Sequence, residues 1–337
     1  MKRHQVGFTL IELMLSLVIG LILVAAAALL FVTGQKSYML QQGTADIQDN
    51  ANFGLDYIVK DLRLANLDAL SASLNDRSYI GGVVLTSAFD ATTSARQTVA
   101  GVTTIFSNLD DKLIGATVAP NLLSRSAGQT VGTAPAWTGV SNVKSDGADL
   151  ASDQLVIQYR PVQVGGFDCE GREITTTDQV IVQRYFLRED SNKDTGEPNK
   201  ALALACDAGF YPISTNPTAI TSYGDAGEII MKRVDYFRVQ LGVIDASGKF
   251  QYLSINDYLA KTAGFTGVGP RIVSVQLGIL ARSNAPVGDD QMIKDDQVFQ
   301  VLDKAVTVKS STSKNKYVRQ VVSQSVALRN ALGGRGS

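Results

Sequence analysis

The pattern of apolar and polar positions changes period twice along the first two hundred residues. From Leu13 to Val32, 20 residues run without a charge, and only Ser16 and Gly20 depart from apolar side chains. At about 1.5 Å rise per residue such a run makes a helix of about 30 Å, the thickness of a bilayer's hydrocarbon core. Farther on the pattern becomes one-sided. Ile47, Ala51, Leu55, Ile58, Leu62 and Ala65 recur at three- and four-residue steps, while Asp46, Asp49, Asp56, Lys60, Asp61 and Arg63 fill much of the remaining surface. That is an amphipathic helix with one face on a soluble core. No proline precedes Pro120, so nothing breaks the early chain. The spacing predicts one helix over 8–67, membrane-like over 8–35 and amphipathic over 36–67. Gly20, Gly34, Gly43 and Gly54 lower its helix propensity by up to about 1 kcal/mol each, as stretching points or as close-packing positions.

Beyond the helix the period shortens to two. Residues 68–150 are rich in Ser, Thr, Ala and Gly with short apolar pieces such as Gly82-Val83-Val84-Leu85, and read as a loop-rich insert. Leu155, Ile157 and Tyr159 alternate with outward positions, and Gln179–Leu187 is rich in branched and aromatic residues. Phe237, Val239, Leu241 and Val243 form a period-two set, as do Val273, Val275, Leu277 and Ile279, and a last strand is expected between Tyr317 and Leu328. Glu189 to Gly196 is a polar turn of hairpin type. A long helix followed by strands with no βα alternation predicts an α+β fold, with an antiparallel head over 151–330 and a flexible tail over 331–337.

The leader changes the picture most. Between Arg3 and Lys36 the ionisable side chains are His4 and Glu12 alone, so a carboxylate stands at the lip of a membrane-length helix. An acid there is costly and by default marks a functional site. Lys2 and Arg3 ahead of the span put the N-terminus in the cytoplasm and the head outside it. An ordinary secretory signal has a shorter apolar core, and here Leu29-Leu30-Phe31-Val32 continue past the small residues Ala25 to Ala28. A plain anchor explains the length but not the acid. The stretch Gly7-Phe8-Thr9-Leu10-Ile11-Glu12-Leu13 resembles the signature of type IV pilins and type II secretion pseudopilins, almost residue for residue. The resemblance implies a leader of residues 1–7, cleavage by prepilin peptidase between Gly7 and Phe8, and N-methylation of Phe8. It also implies an assembly role for Glu12, which would pair with the Phe8 amine of a neighbouring subunit. Pairing with that cation would offset much of the carboxylate's desolvation. A Glu12 that merely reaches the headgroup region is the plainer alternative.

Less specific matches extend into the head. Phe167-Asp168-Cys169-Glu170-Gly171, Tyr185-Phe186-Leu187 leading to Cys206, Ile279-Leu280-Ala281-Arg282-Ser283 and Val326-Ala327-Leu328-Arg329-Asn330 are similar to PilW-type minor pilins, which are related to the J-type minor pseudopilin. The fold implied is pilin-like. Cys169 and Cys206, an even pair in an exported domain, are most simply one disulfide. Metal is the alternative, but two thiols 37 residues apart with no histidine nearby make a poor site.

Other chemistry is sparse. The single histidine, His4, leaves with the leader, which excludes Ser-His-Asp and Cys-His catalysis and histidine-ligated zinc. Asp289-Asp290 and Asp295-Asp296 read as solvated loop acids, and no phosphate-binding glycine loop occurs. The chain is therefore expected to be no enzyme and to need no cofactor. Asp190, Asn192 and Asp194 resemble the opening of a calcium loop, yet an EF-hand would want glycine at Thr195 and an acid at Ala201. The formal net charge is −1, and −3 without Lys2 and Arg3, which argues against global nucleic-acid binding. From Lys304 to Ser337 seven residues are basic and none acidic, so Lys314, Lys316 and Arg319 are a local candidate for contact with DNA or an acidic surface.

These readings converge on a minor pilin, held in the inner membrane and then built into a pilus. Its expected partners are other minor and major pilins, the prepilin peptidase and the assembly platform. A type II secretion pseudopilin is the rival, since both share the leader. A membrane-tethered adhesin or DNA-binding module is the rival of another class.

Overall fold

The protein is described by a computed structural model covering residues 7, 9–86, 96–99, 102–105, 107–109, 113, 122–129, 136–194, 196–213, 219–263, 269–287, 293–294, 296–309 and 315–332. Helix α1 spans Leu10–Leu62. Thr9 starts it in extended conformation, its hydroxyl accepting from the Glu12 N–H. In chain order there follow β1 (Arg96–Val99), β2 (Val102–Ile105), β3 (Val143–Ser145), β4 (Ala148–Asp149), β5 (Leu155–Tyr159), β6 (Gln179–Glu189), β7 (Leu202–Pro212), β8 (Glu228–Lys232), β9 (Val234–Ile244) and β10 (Phe250–Ser254). Helix α2 (Ile255–Thr262) precedes β11 (Arg271–Arg282), β12 (Val298–Val301), β13 (Lys304–Val308) and β14 (Arg319–Ala327).

Among the described residues two four-stranded antiparallel sheets carry the main core of the head, in the orders β5-β6-β7-β8 and β10-β9-β11-β14. The architecture is α+β, a long apolar N-terminal helix joined to antiparallel sheets. The second half of α1 lies against the edge strands β8 and β14, and its Ile47, Ala51, Leu55, Ile58 and Leu62 enter one core with residues of both sheets. Asn50 fits the β8 edge closely: its side-chain amide donates to the Lys232 carbonyl at 2.7 Å and its oxygen accepts from the Lys232 N–H. Docking against strand edges covers backbone groups that would otherwise be open to another strand.

The helix stops at Leu62, short of the expected Leu67, because the chain turns inward there. Asn66 adopts a left-handed conformation with φ 64°, and Leu64 and Leu67 pack beside Tyr159, Ile174 and Ile181. The Asn330 side-chain amide donates to the carbonyls of Arg63, the C-cap of α1, and of Ala65 in the turn beyond it. The Asn66 side chain bonds Ser71, Asn330 and the Gly82 N–H. A Cβ on Gly82 would lie 2.1 Å from the Asn66 nitrogen, so glycine is required at that contact.

Described residues of the stretch over 68–150 belong to the head's packing. Val84, Leu109, Leu122 and Leu123 cover the outer face of the first sheet, where Val156, Val180 and Val182 are buried. A strand buried on both faces reads as a continuous apolar run, which is how Leu155-Val156-Ile157 and Val180-Ile181-Val182 read. Val156, taken from its alternation as outward-facing, is in fact fully covered. A small sheet in the order β12-β13-β3-β4 does the same for the second sheet, placing Val143, Phe299, Val301 and Val306 on Tyr236 and Leu280.

Candidate assembly sites

Gly7 is exposed, and Phe8 and the residues before Gly7 lie outside the described part of the chain. Glu12 is exposed on the first turn of α1. Its carboxylate accepts from the Thr9 N–H and hydroxyl, each at 2.9 Å, closing a capping box with the Thr9 side chain. Within one subunit, then, Glu12 satisfies donors at the helix start, and a carboxylate there is also favoured by the helix dipole. The spacing Thr9-Leu10-Ile11-Glu12 is itself a capping-box pattern, a signal visible in the sequence beside the pilin motif. From Leu10 to Val32 the large apolar side chains are exposed all round. Among the described residues α1 is the one helix long and apolar enough to cross a membrane.

At the other end of α1, Asp61 is buried where helix, first sheet and the chain after β5 meet. Tyr185 on β6 donates its hydroxyl to Asp61 Oδ2 at 2.6 Å. Burial, offset by that bond and by Lys60, pushes the Asp61 carboxyl up to about 6. Burial raises the Tyr185 hydroxyl well above its ordinary range, and the neighbouring Asp61 adds to this. One turn earlier the Tyr57 hydroxyl donates to the Cys169 carbonyl at 3.1 Å, which ties α1 to the segment between β5 and β6.

Cys169 and Cys206 form a disulfide with Cα atoms 6.1 Å apart. It fastens the 161–178 segment to β7. Beside it Glu170, Asp207 and Asp225 draw their carboxylates together. Arg184 pairs with Asp207 at 2.8 Å, Arg172 pairs with Glu170 at 2.9 Å, and the Gly224 N–H bonds Asp207. The group is an arginine-balanced cluster.

The calcium candidate is built differently from a cation loop. Asp190 pairs with Arg233 at 3.0 Å and accepts from the Asn192 N–H, and the Asn192 carbonyl accepts from Arg233. Glu197 joins Arg233 and Arg282. Asp194 exchanges bonds with Glu197 through its backbone, and Ala201 is buried. Asp190 and Glu197 anchor the hairpin to Arg233, between β8 and β9, and Glu197 also to Arg282 at the end of β11, a use that the spacing of the loop acids does not reveal. In the basic tail Arg319 pairs with Asp235 at 2.7 Å, Lys316 bonds Val287 through its carbonyl, and Lys314 lies outside the described residues. Arg319 is thus held by a carboxylate of the chain's own head.

The model of the prokaryotic N-terminal methylation motif matches residues 2–28. The model of the Type IV Pilus-assembly protein W matches residues 184–330. The chain is type IV pilin-like and resembles PilW-type minor pilins. The second match runs from the middle of β6 to Asn330, through the last three strands of the first sheet and all of the second, and ends at the side chain that caps α1. The stretch over 68–150 lies outside both matches. A type IV-like pilin from Thermus thermophilus overlaps 53% of this chain and 80% of its own, at 11% identity and a TM-score of 0.29. No curated protein matches in sequence. The likeness is to a family of structural proteins rather than to a family of enzymes. It is a pilus-related minor pilin likeness, with the methylation motif and apolar helix fitting membrane anchoring and incorporation into a filament.

Proposed function

We propose that this chain is a minor pilin of a type IV pilus that supports its initiation and assembly, and through it functions such as twitching, adhesion or DNA uptake. The observation that carries the reading is the pairing of the leader motif with a fully uncovered apolar half of α1. In that reading the N-terminus is cytoplasmic and the head periplasmic until the subunit enters the filament. Prepilin peptidase cleaves between Gly7 and Phe8, the Phe8 amine is methylated, and other pilins and the assembly platform receive the subunit. Glu12 then exchanges its contacts to Thr9 for the Phe8 amine of a neighbour. A charged pair at the bilayer edge offsets desolvation that two hydrogen bonds to a neutral residue offset less.

The test separates processing from assembly. Gly7→Val leaves uncleaved precursor in the membrane. Glu12→Ala is cleaved normally but depleted from sheared pili. Normal pilus entry by both variants overturns the reading. Deleting the gene distinguishes the secretion rival, because lost secretion with intact pili would assign the chain to a type II machine instead.

A further inference from the structure

On the second sheet Val239, Leu241, Val275 and Leu277 point into the core, so the residues between them form its outer face. The small sheet covers Tyr236 and Leu280 at one end of that face. Its cover stops where the β12–β13 turn meets Gly278, at which a Cβ would lie 2.6 Å from Leu302. Past this wall two rows of side chains cross the strands. One passes through Tyr252, Gly242 and Ser274, the next through Gln240, Gln276 and Ser325. Neither row holds a charged residue.

Tyr252 lies across this floor. Its hydroxyl comes within 3.5 Å of Ser325 Oγ, although β9 and β11 separate their two strands, so the side chain spans the face instead of standing off it. Phe250 meets the Tyr252 ring edge to face with centroids 5.0 Å apart, and both aromatics are exposed, Phe250 by 47% and Tyr252 by 37%. Gly242 makes the room, since a Cβ there would lie 1.9 Å from Ser274 Oγ and 3.1 Å from the Phe250 ring. Ser274 is 9% exposed, and its hydroxyl has no hydrogen-bond partner among the described residues. Leaving a buried hydroxyl unpaired is unfavourable, and a ligand hydroxyl would satisfy it.

We propose that this face binds a neutral glycan, one pyranose ring resting on the aromatic pair and its hydroxyls meeting Ser274, Gln240, Gln276 and Ser325. A pyranose has an apolar C–H face and a rim of uncharged hydroxyls. Exposed aromatic rings supply the apolar contact. Glutamine amides and serine hydroxyls both donate and accept, as sugar hydroxyls do. The lack of charge selects the class, because a nucleic acid or an acidic glycan needs cations along its path. Of the arginines in the bordering rows, Arg238 is held by Asp153 and Asp303, and Arg271 stands two strands away from Phe250. A wholly apolar partner would leave the two amides without hydrogen bonds. The site lies on the head and does not depend on the leader.

The full chain, in a detergent without sugar headgroups, is applied to printed neutral, sialylated and sulfated glycans, and the neutral glycans that bind are titrated as free oligosaccharides. Binding to neutral glycans is expected. Tyr252→Ala and Gln276→Ala should each weaken it by about tenfold or more. Ser325→Asp, at an exposed position, should do the same by placing a charge on the face, and it carries the test if Tyr252→Ala does not fold. Phe167→Ala, at an exposed aromatic of the first sheet's loop, should leave binding unchanged. An unaltered urea midpoint verifies the fold of each variant. Binding to no printed glycan, binding to acidic glycans only, or neutral binding that survives both Tyr252→Ala and Ser325→Asp overturns the proposal. Neither cleavage at Gly7 nor pilus entry enters the measurement, so its failure leaves the pilin reading in place.

Discussion

The two halves of α1 share one backbone and differ in what covers them. From Leu10 to Val32 the helix is apolar all round and exposed all round. From Gly43 to Leu62 it is apolar on one side, and that side is buried in the chain's own head while Asp49, Asp56 and Lys60 face outward. The width of the apolar stripe sets the kind of cover. A one-sided stripe is satisfied by a single head, whereas an all-round surface demands apolar surroundings on every side. The single continuous helix thus joins a self-sufficient half to one that is incomplete without a partner.

Substitutions can break this contrast, and the largest effect belongs to the covered half. Leu62→Ala removes a fully buried side chain and should lower head stability by about 3–5 kcal/mol. Leu21→Ala, in the uncovered half, should change it by less than about 0.5 kcal/mol. Urea unfolding of the full chain in detergent, followed through its one tryptophan, Trp137, compares them; equal losses would dissolve the contrast. Replacing both Cys169 and Cys206 with alanine should cost about 3–4 kcal/mol in the same assay, from the loop entropy restored to the unfolded chain.

Asp61 sharpens the comparison through pH. Its folded pKa near 6 lies above the ordinary 3.8, so the folded state binds the extra proton between those values. This group's contribution is therefore fully present below about pH 4 and is lost as pH rises through 6, by about 2–3 kcal/mol. Asp61→Asn keeps an acceptor for Tyr185 without the charge. It should gain on the wild type as pH climbs from 4 to 7.5 and match it at pH 4. A constant gap across that range would remove Asp61 from the pH response. The smallest effect is expected at the uncovered end. Thr9→Val breaks half of the capping box and should loosen the first turn by about 1 kcal/mol, read as faster amide exchange over 10–13 with an unchanged urea midpoint.

Much of this architecture was legible in the residues. The three- and four-residue recurrence from Ile47 onward marks the buried face of α1, and the period-two sets mark β9 and β11, because one buried side imposes those periods directly. The cysteine pair and the leader motif are likewise written locally. Val156, Val180 and Val182 were harder, since a strand covered on both faces carries no alternation. The covering residues, Leu109, Leu122 and Leu123, sit in a stretch whose composition reads as loop.

The sequence by itself determined the long helix, the carboxylate at its entrance, the absence of histidine chemistry after the leader and the likeness to pilins, since each depends on residues close together in the chain. Only the tertiary structure decided that Asn330 reaches the carbonyls of Arg63 and Ala65, 267 and 265 positions away, that Asp190 pairs with Arg233, and that Tyr57 ties α1 to the Cys169 carbonyl. Those pairings cross the whole chain, and which distant donor finds which acceptor is settled by packing, where a buried polar group must find a partner wherever the fold brings one.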